Sequence, residues 1–476
     1  MNNFCSNCGQ KLPSGVKFCP NCGTRVVDID DTSNYEEDSP IGIDEEFSDE
    51  ADEIDSLLEK AKAGDAEAQY KLGNMYFFCE SAERDYAEAF KWYKKAAEQG
   101  HASAQSNVGA FYHLGYGVTR DYSQSIKWFR KAAEQGDAIA QFNLGNCCYS
   151  GDGVEQDYSE AVKWYRKAAE LGCEFAQYKL AQCYDNGNCV PEDYVESAKW
   201  YRKAAEQGHA DAQYELGLCY KEGYGVAEDH VEAVKWFRKA AEQGHADAQY
   251  ELAICYDNGY GVPKDYVESA KWYRKAAEQD HPAAQFELGC CYDYGDGVQM
   301  NNSEALKWYR KAAENGDSYA QYKLGMSLFM SKNYEDAVRW FKKASEQENA
   351  EAQEMLAGCY ADGKGIQKDY GEAAKLYRKA AEKEVLRAQY TLGLWYESGI
   401  FFSKDLKEAI RWYKKAAEQY FDSEEFEQGR SNVVQHNYAE ILKQYREAAE
   451  QSLFHAGIRN ASCGRLGARE QRKRYE

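Results

Sequence analysis

The chain has 476 residues and a formal net charge of −22, with 80 acidic side chains against 58 Lys and Arg. It is rich in Ala, Glu, Lys, Leu and Tyr and has only 6 prolines, a balance that favours helix. Such acidity weighs against a surface that tracks nucleic-acid phosphates, and no apolar run approaches the roughly 20 residues needed to insert in a membrane.

The opening residues Met1–Gln10 are polar and cysteine-bearing rather than a secretory leader. The 16 cysteines are therefore expected to be reduced thiols, and the protein cytoplasmic. Within residues 1–26, Cys5-Ser6-Asn7-Cys8-Gly9 is echoed by Cys19-Pro20-Asn21-Cys22-Gly23. Each C-x2-C turn points two thiolates at one ion, so Cys5, Cys8, Cys19 and Cys22 complete a closed tetrahedron for one structural Zn2+. A segment this short buries too little apolar surface to fold alone, and the metal supplies its folding free energy, on the order of 10 kcal/mol. A rubredoxin-like iron site and a pair of redox dithiols remain alternatives. The segment resembles the short zinc ribbons at the start of many bacterial proteins, which dock on proteins or bind nucleic acid. Lys11, Lys17 and Arg25 are a meagre basic set for the second role.

From Val27 to Asp55 the chain carries fourteen Asp and Glu and no Lys or Arg. Residues 27–53 are expected to be an acidic, disordered linker, extended by self-repulsion.

Periodicity then decides the architecture. Trp92, Trp128, Trp164, Trp200, Trp236, Trp272 and Trp308 recur every 36 residues, and the series resumes at Trp340, Leu376 and Trp412 after a four-residue deletion. We count ten repeats. In one of them Ala212, Leu216 and Tyr220 share a helical face, as do Ala233, Trp236, Phe237 and Ala240 further on. Gly223 and Gly225 permit the turn between them. Asp229 and Glu232 form a D-x-x-E start signal, in which the aspartate caps amides and the glutamate reaches back. Gly244 suits the left-handed residue that ends a helix. Each repeat is thus predicted to be two antiparallel helices that bury their faces by stacking on neighbours.

The motifs A-x-A-Q-x-x-L-G-x-x-Y, G-x-G-V, D-x-x-E-A and K-W-Y-R-K-A-A-E-Q-G resemble those of the Sel-one-like repeat family, close kin of tetratricopeptide repeats. The resemblance covers roughly Asp55 to Phe421. It implies an all-α, right-handed α-solenoid acting as a scaffold or adaptor for protein partners, not an enzyme. The expected plan is a ribbon (1–26), a linker (27–53), a solenoid (54–421, with a cap helix at 54–65), degenerate capping helices (422–458) and a basic tail (459–476). Cys79-Glu80-Ser81 and Cys189 depart from the glycine pattern of the turn, and the eighth repeat runs from Met330 through Asn333 with no turn motif, where altered curvature is expected.

Other constellations have structural explanations. Cys147, Cys183, Cys219, Cys255, Cys291 and Cys359 share a column whose members are too far apart for disulfides. A cysteine-rich branch of the family ties its helices by disulfides at positions where this chain has Ala96, Ala97 and Ala104, so that branch's secreted character and claimed penicillin-binding activity do not transfer. His101, His209, His245 and His281 also form a column and read as turn residues. Asp257 to Glu268 mimics a calcium loop, but Gly259 and Gly261 offer no side-chain oxygen. Lys and Arg of the second helices alternate with Glu and read as a solvated face.

Constant columns are accounted for by folding, so recognition belongs in columns that vary. On the first helices these include Lys179, Gln182, Glu215, Leu218, Glu251, Ile254 and Lys323, beside Tyr178, Tyr214, Tyr250 and Tyr322. By the resemblance, first helices line the concave side, and these residues are expected to hold a protein or peptide. Unconstrained surface is the alternative for these positions. For the whole protein the competing readings are a nucleic-acid or translation accessory working through the ribbon, and an enzyme.

Overall fold

The computed structural model describes residues 56–78, 85–187 and 190–418, together with 443, 446 and 447. The ribbon with its four cysteines, the linker at 27–53, Cys79-Glu80-Ser81, Cys189 and the tail at 459–476 lie outside the described residues. Among the described residues every regular element is helical.

Helix α1 spans residues 56–62. It is followed by α2 (Ala66–Phe78), α3 (Tyr86–Glu98), α4 (Ala102–Leu114), α5 (Tyr122–Glu134), α6 (Ala138–Ser150), α7 (Tyr158–Glu170), α8 (Glu174–Asp185), α9 (Tyr194–Glu206), α10 (Ala210–Glu222), α11 (His230–Glu242) and α12 (Ala246–Asn258). Then come α13 (Tyr266–Glu278), α14 (Pro282–Tyr294), α15 (Asn302–Glu314), α16 (Ser318–Met330), α17 (Tyr334–Glu346), α18 (Ala350–Asp362), α19 (Tyr370–Glu382), α20 (Leu386–Ser398) and α21 (Leu406–Glu418). Even-numbered helices from α2 onward open a repeat and odd-numbered ones from α3 close it. The chain divides into two compact units, one ending at Lys264 and one beginning at Asp265.

The two helices of a repeat approach closely because a glycine faces an aromatic ring. In α10 a Cβ on Gly217 would lie 2.5 Å from Phe237 Cε1 of α11, and in α4 a Cβ on Gly109 would lie 2.5 Å from Phe129 Cδ1 of α5. Around these rings Ala212, Leu216, Cys219, Ala233, Val234, Ala240 and Ala241 are buried. The turn glycines do two different jobs. Gly223 takes φ 75° and ends α10. Gly225 matters for close approach, since its Cβ would overlap the backbone carbonyl of Tyr194 in the preceding repeat. The expectation that both permit the turn holds, since Gly225 itself takes φ 67°; the second glycine in addition seats the loop on the neighbouring repeat.

The N-terminal signals of the second helices also work differently from the reciprocal pattern expected. Asp229 Oδ1 accepts from the amides of Val231 and Glu232 at 2.9 and 3.0 Å. Glu232 turns forward to Lys235 instead of reaching back. The amide it would have met donates to Tyr220 O at 2.8 Å, closing the turn. In the eighth repeat α16 and α17 each keep 13 residues, so the deletion falls wholly on the turn. There Lys332 adopts φ 65° and Asn333 donates its amide to Leu328 O at 2.9 Å.

Repeats are joined by a buried glutamine. Gln213 Nε2 donates back to Ala205 O of the preceding repeat at 3.0 Å, while its Oε1 accepts from Gln243 Nε2 at 2.7 Å. The same pair of bonds is made by Gln105, with Ala97 O and Gln135, and by Gln177, with Ala169 O and Gln207. In the second unit Gln285 takes Ala277 O and Asn315, and Gln321 takes Ala313 O and Gln347. At the start of the array Gln69 Nε2 reaches Ala61 O of α1 at 2.9 Å. In the third repeat Leu171 and in the ninth Lys383 stand where the others have Gln or Asn, and Gln141 Oε1 and Gln353 Oε1 are buried with no hydrogen-bond partner.

The defect in the third repeat is repairable. Leu171→Gln should raise stability by about 0.5–1.5 kcal/mol, the net value of one hydrogen bond, whereas Gln213→Leu should lower it by about 1–3 kcal/mol through the orphaned carbonyl. The two variants should shift the urea midpoint in opposite directions; a Leu171→Gln midpoint at or below wild type would contradict the relay.

Candidate functional site

The even-numbered helices present the candidate recognition columns, and their side chains meet from repeat to repeat. Phe142 of α6 lies 6.0 Å from Phe175 of α8 between ring centroids, and Lys221 Nζ of α10 is 3.4 Å from Glu251 Oε2 of α12. In the second unit Lys323 Nζ of α16 donates to Tyr294 Oη of α14 at 3.2 Å. None of the eleven candidate residues is fully exposed: each is half-buried.

The structure gathers Tyr178, Lys179 and Gln182 into one cluster. Gln182 Nε2 donates to Tyr178 Oη at 2.8 Å, and Lys179 Nζ donates to Gln182 Oε1 at 3.2 Å. Tyr178 stacks on His209 at 4.7 Å and Tyr214 stacks on His245 at 4.8 Å. Glu215 differs from its neighbours. Burial first, then Asp185, Asp211 and Asp247 nearby, push its carboxyl up to about 7, with His245 pulling the other way. Tyr322 packs 6.3 Å from Phe341 in the second unit. Leu218 and Ile254 sit one helical turn beyond Tyr214 and Tyr250.

The column holding Gln182, Leu218 and Ile254 proves less free than its sequence suggests. Tyr93 Oη donates to Asn74 Oδ1 at 2.7 Å, Tyr165 Oη to Asn146 Oδ1 at 2.8 Å, and Tyr309 Oη to Cys290 Sγ at 3.4 Å. Where the facing aromatic is Phe129, Phe237 or Phe341, the column holds Ala110, Leu218 or Met326. Part of its variation therefore follows whether the second helix carries a hydroxyl. The sixth, ninth and tenth repeats are exceptions, carrying Ile254, Gly358 and Leu394 with Tyr273, Tyr377 and Tyr413 at the second position; the Tyr413 hydroxyl donates to Glu397 at 2.8 Å instead.

The histidine column also has a function that sequence reasoning missed. Nδ1 of His101, His209, His245 and His281 accepts the amide three residues on, at 3.1 to 3.3 Å, and so caps the next even-numbered helix. Asp137, Asp317 and Asn349 do the same with oxygen. The signal was there: these short polar residues share the column.

Cations of the odd-numbered helices are spent on internal contacts. Lys167, Lys203 and Lys239 lie 4.0, 3.8 and 3.7 Å over the rings of Trp164, Trp200 and Trp236. Arg166 and Arg238 each donate to a tyrosine of the following helix, Tyr184 and Tyr256, at 2.6 Å. Lys163 and Lys199 pair with Glu160 and Glu196. Such a face offers no row of cations for a phosphate backbone. The cysteine column is buried and unbridged, and burial pushes the Cys147, Cys219 and Cys255 thiols up to about 12. Such burial favours the thiol over the nucleophilic thiolate. Among the described residues no three His, Cys, Asp or Glu converge as a metal site, and no helix is long and apolar enough to cross a membrane.

Ten stretches, from 66–101 and 102–137 through 350–385 and 386–421, match the Sel1 repeat. The chain is a Sel1 repeat protein. Residues 4–26 match a zinc-ribbon domain. Among solved structures, a protective antigen present in uropathogenic Escherichia coli strains, displaying an SLR fold, is 37% identical with TM-score 0.73, covering 84% of this chain and 86% of its own. A Sel1 repeat protein from Oxalobacter formigenes is 33% identical with TM-score 0.45, covering 51% of this chain and 96% of its own. No curated protein matches the chain. Sel1 repeat solenoids are generally protein-interaction scaffolds and typically not enzymes.

The hydroxyl pairing is testable by a double-mutant cycle. Asn146→Leu alone strands the Tyr165 hydroxyl and should cost about 1–3 kcal/mol, and adding Tyr165→Phe should recover about 1 kcal/mol of it. Strict additivity of the two in urea denaturation would show that the column varies for another reason.

Proposed function

We propose that this chain is a scaffold that holds a protein or peptide segment along the face of its even-numbered helices. In the first unit Tyr178, Lys179, Gln182, Tyr214, Glu215, Leu218, Tyr250, Glu251 and Ile254 carry the contact. Tyr322 and Lys323 supply it in the second. The observation behind this reading is Glu215, a half-buried carboxylate among acidic neighbours with no hydrogen bond or ion pair among the described residues. A partner cation beside it would relieve that repulsion, and the tyrosines add rigid aromatic area of the kind that dominates interface energetics. The odd-numbered helices, many of whose cations already pair with a glutamate or a ring of their own, offer less. The test is site-specific photo-crosslinking from positions 179 and 215 in the native cytoplasm, using the intact chain and a truncation beginning at Ala51. The same partner should crosslink in both, and Glu215→Lys should weaken its retention about tenfold or more, as loss of a charge pair does. Unchanged retention in Lys179→Glu and Glu215→Lys would sink this reading.

The ribbon is a second docking element in this reading. Two weak contacts on one chain raise avidity when the tether between them spans the sites. Cys5, Cys8, Cys19 and Cys22 are the ligands, since four thiolates in two C-x2-C turns suit a tetrahedral, closed zinc site. Zinc when bound would fold the ribbon without itself reacting. Elemental analysis should find one zinc per chain, lost in Cys8→Ser with the helical circular dichroism intact; zinc retained in that variant would reassign the ligands.

The buried free thiols fit a reducing cytoplasm. The division into ribbon (1–26), linker (27–53), solenoid (54–421), capping segment (422–458) and tail (459–476) completes the reading. Arg446 supports the capping segment, since its Nη1 donates to Glu397 Oε1 of the tenth repeat at 3.5 Å.

A further inference from the structure

A histidine Nδ1 that accepts an amide hydrogen carries no proton of its own. Each histidine cap therefore requires the neutral ring, with its single proton on Nε2. The surroundings of Nε2 differ between repeats. At His101 it faces Glu67 Oε2 at 3.0 Å, and at His245 it faces Asp211 Oδ1 at 3.4 Å, so a second proton on either ring would be met by a carboxylate. At His209 the equivalent residue is Phe175, whose ring lies edge-on at 5.6 Å, and Tyr178 covers the imidazole face at 4.7 Å. His209 alone among the described histidines is buried, with 9% of its surface exposed. The charged groups that face it are Lys179 from α8, Asp211 from α10 and His245 at the start of α12.

We propose that His209 is an acid-sensitive latch on the junction between the fourth and fifth repeats. A proton taken from solvent onto Nδ1 removes the lone pair that caps Ala212. It also sets a positive charge against the N-terminus of α10, where the helix dipole opposes it. The ring then has two aromatic neighbours and no ion pair in exchange. Burial is the first cause that holds the His209 pKa below its ordinary value; Lys179 and His245 act the same way and Asp211 opposes them. The folded junction thus binds the proton less readily than the open one. Its stability is full above about pH 6.5, the ordinary histidine value, and is lost as pH falls toward the lower folded-state value.

The chain carries its own control. Asn349 caps α18 through Oδ1, which accepts from the Ala352 amide at 2.8 Å and has no proton to titrate. Hydrogen exchange of the full chain, followed by mass spectrometry at pH 7.5 and 5.5 with intrinsic rates corrected, compares residues 209–216 with 349–356. Protection at the start of α10 should fall by up to about tenfold per pH unit below 6.5, while that at α18, where burial raises the Glu354 carboxyl, does not fall. His209→Asn, which supplies the same cap as Asn349, should keep protection at pH 7.5 and abolish the fall on acidification; Glu215 in the same helix, pushed up to about 7 by burial, takes up its proton in this range and acts in the opposite direction. Equal falls at the two helix starts, or a fall that survives His209→Asn, would overturn the latch. Should that variant not fold, the wild-type comparison decides alone.

Discussion

The structure depends on a side-chain amide buried between repeats. A helical hairpin offers its neighbour mostly Ala, Leu and one aromatic ring, surfaces that slide easily over one another because hydrophobic attraction has no direction. The glutamine of A-x-A-Q adds direction. It donates to a carbonyl in the last turn of the preceding repeat and accepts from the residue that closes its own repeat, 30 positions later. A shift of one helix along the other would leave both groups unpaired in a buried setting, where an unmade hydrogen bond costs more than a made one contributes. Register between hairpins is therefore held by a polar group that the apolar surface around it could not replace.

The turn glycine reinforces this constraint from the outer edge. With Gly225 in place, the loop of the fifth repeat rests on the backbone at Tyr194, and any side chain there would force the loop away. Tyr224 takes advantage of the approach and stacks on Tyr194 at 5.4 Å. Together the relay and the seated loop fix each repeat at two separated points. Part of the remaining surface of the even-numbered helices is thereby left free to vary. Lys179 and Glu215 differ in charge at one repeat position, and neither takes part in the relay or in the seated loop.

The helical hairpins and their stacking were legible in the sequence because their signals are local. The 36-residue spacing of tryptophan, the D-x-x-E starts and the closing glycines each report a backbone event within a few residues. The rest depended on partners distant in sequence. Gln213 read as one more motif letter, since neither Ala205 O nor Gln243 is identifiable as its partner from spacing alone. The Asn146 column read as variable because the hydroxyl that selects its residue belongs to Tyr165, on the other helix. Glu232 read as half of a reciprocal cap, yet Lys235 lay one turn ahead and the Asp229 amide was already taken by Tyr220. Histidine read as a turn residue because its cap uses nitrogen where serine, aspartate or asparagine would use oxygen.

A division of labour by column is what we propose: constant residues hold repeats in register, while varying residues on the even-numbered helices meet a partner. Hydroxyl-radical footprinting of the native complex, read residue by residue by mass spectrometry, tests this most directly. Binding should shield Tyr178, Tyr214 and Tyr250 while leaving Trp164, Trp200 and Trp236 on the odd-numbered helices as reactive as in the free chain. Shielding of the tryptophans with the tyrosines unchanged would place the partner on the opposite face and contradict the account.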